Sequence, residues 1–194
     1  TADRFVPRIK DTAKLLYITY LSFTAIQIIL LMLGGMNLFE SAVHTFGTVG
    51  TGGVSTRNKS IGAYDSTYIH IVISVFMILS GVSFPLYYSL IKGKWKEVLK
   101  DQELRLYLGI ITISVILIAI SLRTNIYKSM GFALRDALFQ VSSIITTTGY
   151  ATADFDLWPS FSKGILFMLM FIGGCAGSTA GGIKSIRILV LLKL

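Results

Sequence analysis

Two short stretches rich in glycine and threonine carry the residue types best suited to chemistry. The first reads TVGTGG at residues 48–53, and the second reads TTTGY at residues 146–150. A dehydrated monovalent cation needs several oxygens at contact distance, and backbone carbonyls and threonine hydroxyls supply them without charge. Glycine permits the dihedral angles that turn successive carbonyls to one side. Neither stretch contains a carboxylate, so we expect a site for a monovalent rather than a divalent cation.

The two stretches also occupy matching positions in the chain. Gly52 aligns with Gly149 at an offset of 97 residues, and the same offset relates Tyr68 to Ile165, where two apolar runs begin. Taken alone, either stretch fits an exposed loop that joins two membrane helices. Their shared position after a short helix favours a cation site instead.

A third segment, GGCAGSTAGGIK at residues 173–184, places five glycines within ten residues of the last apolar run. Each glycine lowers helix propensity by about 1 kcal/mol relative to alanine, so we expect two half-helices around a loop. A phosphate-binding P-loop is disfavoured, because Ile183 separates the second motif glycine from Lys184 and no strand precedes it. Packing of small residues between helices is the stronger alternative, although it does not explain so many glycines.

The remaining polar residues predict no enzyme. His44 and His70 have no cysteine or acidic neighbour at metal-ligand spacing, so His44 is expected to pack or to form hydrogen bonds. Cys175 is the single cysteine and lies in an apolar run, which excludes a disulfide framework. We therefore expect no catalytic residue and no cofactor, and no metal apart from a transported ion.

Four long apolar runs must position these segments. They cover residues 15–36, 68–91, 104–122 and 164–194, in a chain with 14% charged residues and a mean hydropathy of +0.70. Each run approaches the roughly 20 residues that cross about 30 Å of hydrocarbon. The sequence thus predicts an all-α integral membrane protein with four transmembrane helices. Pro85 is expected to kink the second span, as a matter of packing rather than as a hinge.

Two shorter helices are predicted between the spans. The first starts at Asn37, which can cap it while Glu40 returns a bond to the cap, and ends near Gly47. The second covers Phe132 to about Ser143. About ten residues rise about 15 Å, half a bilayer, so we expect two re-entrant pore helices. Their partially negative C-terminal ends would face the glycine and threonine residues.

The chain therefore reads as one membrane–pore–membrane unit present twice in the same direction, as in parallel repeats. We expect a first repeat at residues 12–93, a cytoplasmic linker at 94–103 and a second repeat at 104–194, which includes the glycine-rich loop. Two repeats make half of a fourfold ring. Further repeats, or a second copy of the chain, are expected to complete it.

The net charge of +8 indicates topology rather than nucleic-acid binding. Lysine and arginine cluster before the first span and between residues 92 and 105, so we expect the N-terminus and the linker in the cytoplasm. No soluble basic face with aromatic residues is available for a nucleic acid. Arg135 and Asp136 are expected to lie at the interface without facing each other, because they are adjacent on a helix.

On these motifs the sequence resembles the Trk/Ktr/HKT superfamily of potassium transporters, and within it the bacterial TrkH-type membrane subunit. The resemblance covers essentially the whole chain and corresponds to the second and third of four repeats. It implies potassium transport through a filter of backbone carbonyls, with Gly52 and Gly149 as key glycines. The implied ion-binding residues are Gly50, Thr51, Gly52, Gly53, Thr147, Thr148, Gly149 and Tyr150.

The resemblance also implies a gate and partners. The implied gating loop consists of Gly173, Gly174, Cys175, Ala176, Gly177, Ser178, Thr179, Ala180, Gly181, Gly182 and Lys184; the family usually has glycine in place of Ala180. The implied setting is the bacterial inner membrane, with membrane lipid, potassium as substrate, the remaining repeats, a homodimeric partner and a cytoplasmic nucleotide-binding regulatory subunit. The alternative is a helix-packing or assembly module of another membrane transporter, without an ion filter.

Overall fold

The computed structural model describes residues 9–191, and the regular structure in that range is helical. Two short 3-10 turns lie at Ser60–Ala63 and Phe155–Leu157, and one isolated bridge joins Ile172 to Ile183. The helices are α1 (Ile9–Leu33), α2 (Leu38–Val49), α3 (Thr67–Ser80), α4 (Phe84–Ile91), α5 (Trp95–Lys100), α6 (Gln102–Asn125), α7 (Met130–Ile145), α8 (Ser160–Leu169) and α9 (Ser185–Leu191).

The predicted spans differ in how continuous they are. Among the described residues, α1 and α6 are each long and apolar enough to cross a membrane. The second predicted span consists of α3 and α4, which together pass the same test but meet at an angle of 94°. The fourth is divided into α8, an apolar helix of ten residues, and α9 after the glycine-rich loop. The regular structure of residues 9–191 is therefore helical with apolar helices, and the second and fourth predicted spans are interrupted.

The break in the second span is larger than the expected kink at Pro85. Helix α3 ends at Ser80, with Gly81 as its C-cap, and α4 starts at Phe84 with Pro85 in its first turn. Proline costs little in a first turn, because the N–H that it lacks would have no partner inside the helix there. The proline thus begins a new helix instead of bending an existing one.

The two short helices occur where the sequence predicts them, and both are longer than expected. Helix α2 continues to Val49, and α7 begins at Met130 and continues to Ile145. Asn37 caps α2, since its side-chain oxygen accepts from the Glu40 amide at 2.8 Å. The Glu40 carboxylate, however, pairs with the Arg57 guanidinium at 2.5 Å, so it serves an ion pair rather than the expected capping box.

Arg135 and Asp136 contradict the expectation that they do not face each other. The Arg135 Nε donates to Asp136 Oδ1 at 2.8 Å, and the Tyr127 hydroxyl donates to Asp136 Oδ2 at 2.6 Å. The long arginine side chain can fold back along the helix surface, which a rule based on Cβ positions does not capture. Asp136 is buried and its charge is compensated by these two partners.

Helix α7 packs against α3, α6 and α8. One apolar cluster, which includes Ile118, Leu122 and Val141, joins α6 to α7 and α8. A second cluster joins α1, α3 and α7 and includes Phe139 and Tyr150. Helix α2 packs against α1 and α3, so the ends of α2 and α7 are both held on a packed scaffold. That scaffold positions both glycine- and threonine-rich stretches.

Candidate cation-conducting site

The first Gly/Thr stretch, residues 48–53, begins in the last turn of α2 and turns sharply back on that turn. Gly50 is the C-cap, and the chain then enters the left-handed region at Thr51 (φ 50°) and Gly53 (φ 64°). The amides of Gly52 and Gly53 both donate to the carbonyl oxygen of Gly47, at 2.8 and 3.1 Å. A threonine at positive φ is costly, so the surrounding structure must hold this conformation.

The second Gly/Thr stretch, residues 146–150, repeats this geometry after α7. Thr147 (φ 57°) and Gly149 (φ 84°) adopt the left-handed conformation. The amides of Thr148 and Gly149 both donate to the Ser143 carbonyl oxygen, at 2.9 and 3.3 Å. The two stretches thus have the same sequence of backbone conformations and the same pair of hydrogen bonds.

The structural equivalence has an offset of 96 residues, which corrects the offset of 97 expected from sequence. It relates Thr51 to Thr147 and Gly53 to Gly149, both by φ and by hydrogen bonding. Gly53, not Gly52, is therefore the structural counterpart of Gly149. The sequence alignment matched two Thr-Gly pairs by identity, whereas the dihedral angles depend on the distance from the helix end.

The two stretches lie against each other. A side-chain carbon placed on Gly53 would overlap the carbonyl oxygen of Thr148, so glycine is required there for space as well as for its φ. The Tyr150 hydroxyl lies 2.8 Å from the Val54 carbonyl oxygen and 3.1 Å from that of His44, and it can donate to either. Tyr150 therefore links the second stretch to the backbone that follows the first.

The predicted filter residues differ in exposure. Gly50, Gly52, Thr147 and Gly149 are exposed in this chain, whereas Thr148 and Tyr150 are buried. A carbon placed on Gly52 or Gly149 meets nothing within 4 Å, so both border open space. The Tyr150 carbonyl oxygen accepts from the Ser143 hydroxyl at 2.6 Å. Tyr150 thus differs from its neighbours, because both its hydroxyl and its carbonyl already have protein partners.

The Gly-rich loop, residues 173–184, separates α8 from α9 and is closed at its base. The Gly173 amide donates to the Ile183 carbonyl oxygen at 2.8 Å, and the Ser185 amide donates to that of Gly174 at 3.1 Å. The Ser185 hydroxyl adds a bond to the Gly173 carbonyl at 2.9 Å. A side chain on Gly173 would overlap the backbone of Gly181, so the two sides of the base approach as closely as only glycine allows.

The Gly-rich loop inserts into the break between α3 and α4. The amides of Cys175 and Thr179 donate to the carbonyls of Gly81 (2.8 Å) and Ser80 (3.3 Å), and the Phe84 amide donates to the Gly177 carbonyl at 3.0 Å. A broken helix leaves backbone groups without partners inside the helix. The loop satisfies several of the backbone groups that the break leaves without helical partners.

The same loop contacts both Gly/Thr stretches through two equivalent threonines. The Thr51 hydroxyl lies 3.0 Å from the Thr179 carbonyl oxygen, and the Gly181 amide donates to the Thr147 hydroxyl oxygen at 2.8 Å. Within the loop, the Lys184 ammonium donates to the Ala180 carbonyl. The predicted filter residues and the predicted gating residues are thus brought together in one site.

A cavity of about 580 Å³ lies beside the loop, between α1 and α4. Its lining includes Tyr17, Tyr20, Phe84 and residues 177–179.

Among the described residues, no group of three or more His, Cys, Asp or Glu side chains could hold a metal ion. The groups that the two Gly/Thr stretches offer to a cation are backbone carbonyls and threonine hydroxyls.

Comparison with known proteins identifies the family. A family model described as TrkH, a cation transport protein, matches residues 2–194. The chain belongs to the TrkH family. A family of cation transport proteins is not one of enzymes, which agrees with the expectation from sequence.

Individual members of the TrkH family show the same similarity. The chain is 40% identical over 193 residues to the Trk system potassium uptake protein TrkH of Escherichia coli K12, and 32% identical to TrkI of Halomonas elongata. It matches the crystal structure of the potassium transporter TrkH from Vibrio parahaemolyticus with a TM-score of 0.88 and 39% identity. That match covers 96% of this chain and 41% of the other. The chain spans about two fifths of the length of these relatives.

Sequence analysis of this TrkH-family chain missed the residues that support the site. Tyr150 was expected to supply a carbonyl to the ion, and the structure adds a link from its hydroxyl to the backbone that follows the first stretch. Ser143 and Thr146 are fully buried hydroxyls that hold the second stretch from within. The sequence feature that could have identified these two residues is their polarity at the otherwise apolar end of a short helix. Polarity alone does not show which backbone group a hydroxyl binds.

Proposed function

We propose that this chain supplies half of a potassium permeation pathway, with the two Gly/Thr stretches as two of four walls of a filter. The observation that carries the proposal is the shared backbone geometry of the two stretches, which lie in contact and leave Gly52 and Gly149 beside open space. Its relatives are named as potassium uptake proteins, which supports potassium as the substrate.

The chemistry of the proposed filter is replacement of hydration water by uncharged oxygens. Backbone carbonyls along residues 50–53 and 147–150 would coordinate the ion, and the C-terminal ends of α2 and α7 add partial negative charge. No carboxylate occurs in either stretch, which favours a monovalent cation. We assign Tyr150 to support of the filter through its hydroxyl, whereas its carbonyl oxygen accepts one bond from Ser143 and keeps a second lone pair for the predicted contact with the ion.

The proposed architecture is two parallel membrane–pore–membrane repeats, at residues 12–93 and 104–194, joined by a cytoplasmic linker at 94–103. Helices α2 and α7 would be the re-entrant pore helices. The relatives are longer than this chain, so the other two walls would come from remaining repeats of the full-length protein. We place that protein in the bacterial inner membrane with residue 9 on the cytoplasmic side, as a homodimer that binds a nucleotide-sensing regulatory subunit.

The Gly-rich loop is the proposed gate. It contacts both stretches through Thr51 and Thr147 and is held by backbone groups at the break of the second span. A loop of this kind can leave its position by exchanging hydrogen bonds, without unfolding a continuous helix. A pure packing role for its glycines is favoured by the close approach of Gly173 to Gly181. That alternative predicts changes in stability without changes in ion flux.

Substitution Gly149→Asp in the full-length protein tests the proposal. A carboxylate at the filter would bind the ion too tightly to release it, or would change the carbonyl geometry. We expect rubidium and potassium uptake to fall to background while the amount of protein in the membrane is unchanged. Asn58→Asp adds the same charge at an exposed loop position and should leave uptake intact. Normal uptake by the Gly149→Asp protein would refute the proposed function.

A further inference from the structure

Glu103 connects the start of α6 to two separate points on the segment that holds the Gly-rich loop. One oxygen, Oε1, accepts from the Ala176 amide at 2.7 Å and from the Ile186 amide at 3.0 Å. Ala176 lies in the first half of the loop, and Ile186 lies in the first turn of α9. A single carboxylate therefore holds both sides of the loop from a third element.

The charge of Glu103 distinguishes this contact from the others that hold the loop from outside. The other contacts involve uncharged groups: the backbone of Ser80, Gly81 and Phe84, the hydroxyls of Thr51 and Thr147, and Ser185 at the base of the loop. A hydrogen bond to a charged acceptor is about twice as strong as one between neutral groups. Glu103 should thus make a large contribution to keeping the loop in place.

The location of Glu103 would also allow it to hold the Gly-rich loop in place and to release it. It lies in the first turn of α6, directly after the positively charged segment that we assign to the cytoplasm. Its two amide partners are ten residues apart in sequence, on either side of the base where Gly173 meets Ile183. Loss of the carboxylate would release both sides together, whereas loss of one hydroxyl contact would release one point.

We propose that Glu103 is a positioning residue that latches the Gly-rich loop beneath the filter and so limits permeation. The inference rests on the proposed function, in which that loop is the gate. It adds a residue outside the loop and outside the filter whose removal favours the open position. The ion itself does not contact Glu103.

Cys175 offers a reporter of the loop position, because it is fully buried and adjacent to Ala176. The experiment compares Glu103→Ala, Glu103→Gln and wild type in the full-length protein, reconstituted in liposomes. It measures the rate at which 2-aminoethyl methanethiosulfonate modifies Cys175 and the initial rate of rubidium uptake. Cys175→Ser, made in each background, gives the labelling from any other thiol. Glu97→Ala is the control, since Glu97 is exposed and pairs only with Lys94 among the contacts described.

We expect Glu103→Ala to raise both the labelling rate and the uptake rate, by about tenfold, because two charge-assisted bonds are lost. Glu103→Gln keeps an oxygen that can accept both bonds, so its rates should lie between those of Glu103→Ala and wild type. Glu97→Ala should match wild type. Rescue by glutamine of a protein that labels quickly with alanine is a result that general destabilisation does not produce.

Two outcomes would overturn the latch. One is wild-type labelling and uptake in Glu103→Ala. The other is reduced uptake in Glu103→Ala with unchanged Cys175 labelling, which would make Glu103 a support of the open pathway. Failure of the proposed function looks different: wild type itself would then transport no rubidium, whereas Cys175 labelling would still report whether the loop is released.

Discussion

The two Gly/Thr stretches share one backbone geometry but are held in it by different means. In the second, Thr146 bonds to Thr148 through their hydroxyls at 2.8 Å, and Ser143 bonds to the carbonyl of Tyr150. The first has glycine where the second has Thr146 and Thr148. It is held from outside, by the Tyr150 hydroxyl and by His44, whose ring lies 3.0 Å from the Ser55 hydroxyl.

This difference shows that the second stretch supports itself and also supports the first. The first stretch has fewer side chains with which to fix its own conformation, chiefly Thr51, whose hydroxyl donates to the Gly50 carbonyl at 2.8 Å. Glycine also loses more backbone entropy on ordering than other residues. The tyrosine of one stretch compensates for the glycines of the other. Loss of a supporting side chain in the second stretch should therefore disturb both stretches.

The largest effect on rubidium uptake is expected at Gly53, and the neighbouring Gly52 provides the comparison. Gly53→Ala places a carbon against the Thr148 carbonyl and forces alanine to a φ of 64°, so we expect rubidium uptake to fall to background. Gly52→Ala meets no atom within 4 Å, so it should keep the wild-type melting temperature, although its methyl group enters the space proposed for the ion and should lower uptake in part. Equal uptake and equal melting temperatures in the two variants would show that the close contact of Gly53 with Thr148 does not describe the filter.

An intermediate effect is expected for Tyr150→Phe, which removes the hydroxyl that links the stretches. The Val54 carbonyl then loses a buried partner, at a cost of about 1–3 kcal/mol in stability. We expect a lower melting temperature and weaker discrimination of potassium over sodium in flux assays. Tyr17→Phe is the matched control, because the Tyr17 side chain is exposed. Unaltered selectivity in Tyr150→Phe would mean that the first stretch does not depend on the second.

The smallest of the three effects is expected for Thr146→Val. The hydroxyl of Thr146 is buried and lies 2.6 Å from the Ser142 carbonyl as well as near Thr148. Valine keeps the shape and loses these bonds, so we expect a loss of about 1–2 kcal/mol in the free energy of unfolding. Thr112→Val removes a similar bond at an exposed position and should cost less. If thermal denaturation gave Thr146→Val and Thr112→Val equal losses in the free energy of unfolding, the second stretch would not be supported by its own hydroxyl groups.

Much of the fold follows from the sequence. The short helices, the break at residues 173–184 and an irregularity of the second span near Pro85 were all predicted from apolar runs, caps, glycines and a proline. The extent of the second break was not, because its backbone groups are satisfied by a segment almost 100 residues away, on the Gly-rich loop. Hydropathy describes each run alone and does not contain that contact.

The sequence predicted which residue types form the candidate site, but not how the residues pair within it. Identity matched Gly52 to Gly149, whereas φ and hydrogen bonding match Gly53. The roles of Tyr150 and Glu103 depend on which distant backbone group each side chain meets. Such pairings are fixed by tertiary packing, so residue type and spacing could suggest the chemistry without assigning these two residues.

The most direct test of the central claim is anomalous X-ray diffraction at the rubidium edge, on crystals of the full-length protein grown in rubidium chloride. We expect rubidium between the two Gly/Thr stretches, in direct contact with backbone carbonyl oxygens of residues 50–53 and 147–150 and with no carboxylate ligand. Rubidium bound only at carboxylates elsewhere, with the space beside Gly52 and Gly149 unoccupied, would contradict the claim.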